Sequence, residues 1–223
     1  MDQTDSPSYA AWIAHCFDHP LTAQAWHLAP DAPEWDAPAQ LTLTYLTRLF
    51  NSPEESVGHF SDGQLNQGFW YLASKTFSDH MYVLVDASLP EAERLACIVA
   101  MKNLFATLFS ARCTNLPSHG TGAASGLSAL NRICFMWWEV LPVHGEPNDP
   151  RRIKIDQAML ALLREVLSMD SLACQESALH GLGHWSYYYR SKVRPIIESY
   201  LADLPEDAPL RAYARLAADG KVQ

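Results

Sequence analysis

An all-helical fold is what this sequence predicts, and three observations predict it. Apolar residues recur at spacings of three and four through nearly every segment, the period of a helix with one buried face. No stretch alternates apolar and polar residues between hairpin turns, as a half-buried strand would. Prolines at 20, 30, 33, 38, 53, 117, 142, 147, 195, 205 and 209 fall between the periodic segments, and each lacks a backbone donor, so they divide the chain into short helices.

Taken in order, residues 1–38 hold one helix, closed at Pro20, and a stiff connector over 28–38 that carries three prolines. Residues 39–111 read as helical hairpins. Within them Leu95, Ile98, Val99, Lys102, Phe105, Leu108 and Phe109 form a stripe over 91–109, opened by Ser88-Leu-Pro-Glu91, where hydroxyl and carboxylate can each satisfy a free backbone N–H. Residues 112–126 contain Gly120, Gly122 and Gly126 and no periodicity, which predicts a mobile loop. The glycine spacing departs from the dinucleotide fingerprint, since position 125 is Ser and a helix precedes the loop. Residues 127–223 read as further hairpins in the same single domain. Ile133-Cys-Phe-Met-Trp-Trp138 marks the most apolar helix, Asp149-Pro150 opens one running to about Met169, and Asp170-Ser171 opens the next.

Composition narrows the function classes. A chain of 223 residues that is 48% hydrophobic can bury a sizeable core. Sixteen basic against 25 acidic residues give a net charge of −9, and no Lys/Arg cluster exceeds a pair such as Arg151-Arg152. That lacks the footprint of a nucleic-acid binder and favours a basic protein or peptide as partner. The acidic N-terminus does not resemble a signal peptide, and the run 133–138 is far too short for a membrane span, so a cytoplasmic, membrane-free protein is expected. Five cysteines, odd in number and without C-x-x-C spacing, read as buried thiols.

An internal echo suggests repetition. Aligning Gly68 with Gly181 sets Gln67-Gly-Phe-Trp-Tyr-Leu72 against His180-Gly-Leu-Gly-His-Trp185, each followed by a second apolar segment. Residues 171–204 then form a 34-residue unit of helix, turn and helix. Ala178-Leu-His-Gly-Leu-Gly183 followed by Val193–Leu201 resembles a HEAT-type repeat; residues 64–86 match loosely, and His184 and Trp185 stand where such repeats commonly carry Asp. The resemblance implies an α-α superhelix, an armadillo/HEAT-like solenoid that serves as scaffold or adaptor. An irregular helical bundle is the alternative architecture.

Candidate site residues come from a helical projection of 175–189. Leu182, Leu179, Ala178 and Trp185 share the core face, whereas Glu176, His180, His184 and Tyr188 form a polar ridge opposite, with Tyr187 beside it. Glu176, His180, His184, Tyr187 and Tyr188 are the expected binding surface, because Tyr offers large contact area at low ordering cost. His180 and His184, one turn apart, are also a candidate metal pair, although Gly181 stands where a metalloprotease helix has its Glu, and a third ligand must come from elsewhere. His15 and His19 repeat that spacing beside Pro20. Trp137 and Trp138 read as core or, with Glu139 as polar handle, as an aromatic groove; with Trp70 they are the candidate lining of a small-ligand site. No nucleophile–base motif is visible, and no cofactor is expected. The function that follows is non-enzymatic: a protein or peptide is held in an acidic, aromatic-bearing groove, and neutralising a bacterial toxin would suit the size and charge. A metal-dependent enzyme using His180 and His184, and a small-ligand binder, are the alternatives.

Overall fold

The computed structural model describes residues 7–119 and 126–222, and among them every regular element is helical. Helices α1 (Tyr9–Phe17), α2 (Ala39–Asn51), α3 (Pro53–Val57), α4 (Asp62–Ala73) and α5 (Glu91–Asn103) build the N-terminal half. A π-helical stretch, Leu104–Phe109, continues α5 into the short α6 (Ser110–Arg112). Helices α7 (Leu130–Val140), α8 (Ile153–Leu167), α9 (Leu172–Asp203) and α10 (Arg211–Ala218) complete the chain. The connector 28–38 leaves a 3-10 turn (Trp26–Leu28), bends where the Ala32 N–H donates to the Ala29 carbonyl, and carries no regular element from 32 to 38. The glycine-rich segment 120–125 lies outside the described residues.

Local chemistry sets many of the boundaries. Ser8, Ser61 and Ser171 each accept a backbone N–H of the helix they open, and Ser61 with Gln64 closes a full capping box. Ser88 does not cap α5: Pro90 takes that position, and the Ser88 N–H is held instead by the Asp86 carboxylate at 2.8 Å. Asp149 likewise opens a turn rather than the helix itself, which starts at Ile153 and ends at Leu167. Gly220 ends α10 with φ +70°, donating to Ala217 while Lys221 donates to Leu216, the paired bonds of a Schellman stop.

The turn expected inside 171–204 is reduced to a kink. Residues Leu172–Asp203 are two helical segments that run together across Tyr189, whose dihedrals are non-helical (φ −132°, ψ 43°). Gly181 and Gly183 lie within the first segment, as the projection of 175–189 has them, and their value lies in what they admit. A Cβ on Gly181 would stand 2.6 Å from Trp138 Cγ and 2.7 Å from Leu163 Cδ2, so α7 and α8 approach α9 through that gap; Val222 packs on Gly183 in the same way. Pro195 sits inside the helix after the kink rather than ending it. The loosely matching segment 64–86 is α4 followed by only a short 3-10 stretch, His80–Leu84.

Helix α9 is central to the C-terminal half, packed on α7, α8 and α10; α5 packs on α2 and α8, and α4 bridges α1 to α7. Trp137 lies at the meeting point of the two halves, fully buried among Phe50, Phe69, Phe105 and Phe109 with ring centroids 5.8–6.3 Å away. Trp138 stacks on Phe105 and donates to Ser177 Oγ at 2.9 Å. Both indoles are core, so the aromatic groove proposed for Trp137, Trp138 and Glu139 does not form; the helical turn that buries the two rings carries Glu139 out of the core. All five cysteines are buried thiols. Glu91–Arg112 is the one helix among the described residues long and apolar enough to cross a membrane, and it packs Cys97, Ile98, Met101, Leu104, Phe105 and Leu108 into the core.

The core also holds a buried imidazole with a pH signature. His80 accepts the Trp12 Nε1–H at 2.9 Å, and burial, aided by nearby His15, lowers its pKa to about 3. The unfolded chain, with an ordinary histidine near 6.5, binds the extra proton first, so this contribution to stability is present above pH 6.5 and drains as pH falls toward 3. At pH 5 the loss is about 2 kcal/mol. Urea unfolding at pH 7 and pH 5 checks it: the wild-type protein is expected to lose about 2 kcal/mol more than His80→Gln. Equal losses would assign the pH dependence to other groups.

Candidate functional site

The ridge that projection placed opposite Leu182 is only partly exposed. From Ala173 to Ser186 almost every residue of α9 is buried, because α7, α8, α10 and the segment around Ser118 enclose it. Glu176 and His180 are therefore interior, at 1% and 0% exposure, a correction to their expected place on the binding surface. His184, Tyr187 and Tyr188 do emerge where the enclosure ends, with Tyr187 at 87% exposure. Half-buried Tyr189 donates to Asp156 at 2.8 Å, tying the kink to α8.

The two buried ridge residues are linked by a chain of polar contacts. The Glu176 carboxylate accepts from the Ser118 backbone N–H and the His119 backbone N–H at 2.8 Å, and from Ser118 Oγ; His119 Nδ1 completes its partners. The His119 ring stacks on Tyr213 of α10 (centroids 4.2 Å apart, 19° between planes), and the Tyr213 hydroxyl reaches His180 Nδ1 at 2.7 Å. On its other side His180 Nε2 faces Glu139 Oε2 at 3.0 Å and His184 Nε2 at 3.2 Å, while His184 Nε2 lies 3.5 Å from the same Glu139 oxygen. Phe135 closes against the His180 ring at 4.2 Å.

Burial lowers the His180 pKa, against the opposing pull of the Glu139 hydrogen bond, so this imidazole is neutral at pH 7 and keeps a lone pair. Burial, reinforced by Glu176 and Glu139, pushes the Tyr213 phenol up, so it stays protonated. Glu139, His180 and His184 form the one group of three among the described residues whose histidine, cysteine or carboxylate ligand atoms all lie within 4.8 Å of one another. The third donor that the histidine pair lacked in sequence thus comes from α7, the last turn of the helix that buries Trp137 and Trp138.

Other candidates separate. His15 Nε2 is taken by the Tyr71 hydroxyl at 3.0 Å and His19 Nε2 by the His15 carbonyl at 2.7 Å, so they do not converge on one point. Trp137 and Trp138 are closed into the core, with Trp70 packed partly buried against it, so the three indoles serve packing. A cavity of about 570 Å³ lies instead between the connector and the loop after α4, lined by Trp35, Tyr71, Phe77 and His80. Sequence reasoning missed His119 and Tyr213, which have no local motif and reach His180 only through the fold; the amphipathic pattern of Arg211–Ala218 marks α10 as a packing helix, nothing more.

No protein-family model, curated protein or solved structure matches the chain.

Proposed function

We propose that this chain is a non-enzymatic interaction protein that holds a basic protein or peptide against the exposed face of α9. The observation carrying this reading is Tyr187, which extends into solvent at 87% exposure and meets Tyr188 edge-on at 5.0 Å, one turn beyond His184. His144, 5.9 Å from the Tyr188 ring, and its partner Glu146 extend the patch with the polar groups that surround an aromatic contact. Four cavities of about 400–820 Å³ among the described residues are lined by residues other than these, and the patch suits a macromolecular partner better than an enclosed substrate. A net charge of −9 favours a cationic one.

Kinship with armadillo/HEAT-like superhelices, and the adaptor work that goes with it, is part of the same proposal. Its support is the echo glycines, both of which receive a neighbouring helix. Gly68 lies against Phe17 and the Cys16 carbonyl, and Gly181 against Trp138 and Leu163. A cytoplasmic setting accords with five unpaired thiols.

A photo-activated cross-linker placed at Tyr187, with one at exposed Val99 as control, tests the surface in the producing cells. A specific adduct is expected from position 187 and none from 99, and Tyr187→Ala with Tyr188→Ala is expected to weaken binding of that partner at least about tenfold. An adduct pattern shared by both positions, or unchanged affinity in the double variant, would contradict the assignment.

A further inference from the structure

We infer that Glu139, His180 and His184 bind one divalent cation of the zinc class, leaving a position of the ion open at the surface that carries Tyr187 and Tyr188. Four ligands set tetrahedrally at about 2.0–2.1 Å from an ion stand about 3.3 Å from one another. The three donor atoms here are separated by 3.0, 3.2 and 3.5 Å. Hydrogen bonding alone accounts for this triangle poorly. The same nitrogen of His180 faces both other groups, each Nε2 carries at most one hydrogen, and protonating both would set two N–H groups against each other, so one edge always lacks a bridging proton. A cation at the centre satisfies all three edges at once.

The surroundings are those of a built site. His180, wholly buried, is fixed through its other ring nitrogen by the Tyr213 hydroxyl; with the Tyr213 oxygen accepting from Nδ1–H, the Nε2 lone pair is left to ligate. Tyr213 is held in turn by the stack on His119, and His119 by buried Glu176. The other two ligands face outward: the His184 and Glu139 side chains are 39% and 43% exposed, which gives an ion its way in and a position for water or a donor from another molecule. Two imidazoles and a carboxylate without thiolate suit zinc and its neighbours in the first transition row rather than magnesium or calcium. The site's part in holding a partner rests on the interaction reading; its affinity for metal does not.

The nearby His144–Glu146 pair supplies an internal control, an exposed imidazole and carboxylate 2.7 Å apart with no third ligand atom beside them among the described residues. Protein purified without a tag and stripped with chelator is titrated with zinc chloride by calorimetry. One equivalent is expected to bind at about 1 µM or tighter, at least about 100-fold weaker in His184→Ala and at least about tenfold weaker in Glu139→Gln, and unchanged in His144→Ala. Circular dichroism verifies folding of the two ligand variants, which alter part-exposed side chains. Absence of a stoichiometric site, undiminished binding in both ligand variants, or loss in His144→Ala overturns the inference. Zinc bound as expected, together with cross-links at Tyr187 indifferent to chelator, keeps the metal site and overturns its role at the surface. A Tyr187 partner captured by protein that binds no zinc keeps the interaction reading and overturns the metal.

Discussion

Glu176→Ala is expected to destabilise the protein by about 3–5 kcal/mol, lowering the melting temperature by roughly 10 °C or more. The carboxylate is 1% exposed and accepts from the Ser118 and His119 backbone N–H groups, from the Ser118 hydroxyl and from the His119 ring. Truncation leaves these donors facing an apolar hole, and each unsatisfied buried donor costs about 1–3 kcal/mol. Glu176→Gln restores the volume but turns an NH2 toward N–H groups, so it is expected to recover less than half of the loss. Because His119 stacks on Tyr213, the substitution is also expected to loosen the ring that holds His180. Thermal unfolding with a zinc titration of the surviving fold measures both effects. A loss below about 1 kcal/mol would show that the carboxylate does not anchor the segment before residue 120.

Trp137→Ala is the second large effect, about 3–5 kcal/mol. The indole is fully buried, touches four phenylalanine rings drawn from α2, α4 and the π-helical stretch, and donates toward Met101 Sδ at 3.2 Å. Removing it opens a cavity where the two halves of the molecule meet, and rings held from four directions cannot collapse to fill it. Trp137→Phe keeps most of the contact and is expected to cost about half as much. Urea unfolding of the three proteins gives the comparison, and a Trp137→Ala loss near that of an exposed substitution such as Val99→Ala would contradict this packing.

How far the sequence discloses these features depends on whether their cause is local. Helical periodicity, the Ser171 cap and the proline borders other than Pro195 are local, and they match the helices that form. The turn expected within 171–204 comes only as a kink at Tyr189, just before the second segment, while Gly181 and Gly183 stay helical and make room for Trp138, Leu163 and Val222, the close approach that glycine in a helix signals. Projection separated the ridge from the Leu182 face correctly, but one helix in isolation cannot reveal that α10 and the Ser118 segment cover the near end of that ridge. Glu139 and the His180–His184 pair were each legible as polar residues out of place on apolar helices. Their convergence was not, since 41 residues separate Glu139 from His180 and only the packing of α7 on α9 brings them together.

X-ray absorption at the zinc edge of the loaded protein tests the central assignment most directly. The metal is expected to show nitrogen and oxygen neighbours at about 2.0–2.1 Å, with the outer-shell scattering of two imidazoles and no sulfur, and to lose one imidazole in His184→Ala. A shell containing sulfur at about 2.3 Å would place the ion among the buried cysteines instead, and a shell without imidazole would remove Glu139, His180 and His184 as its ligands.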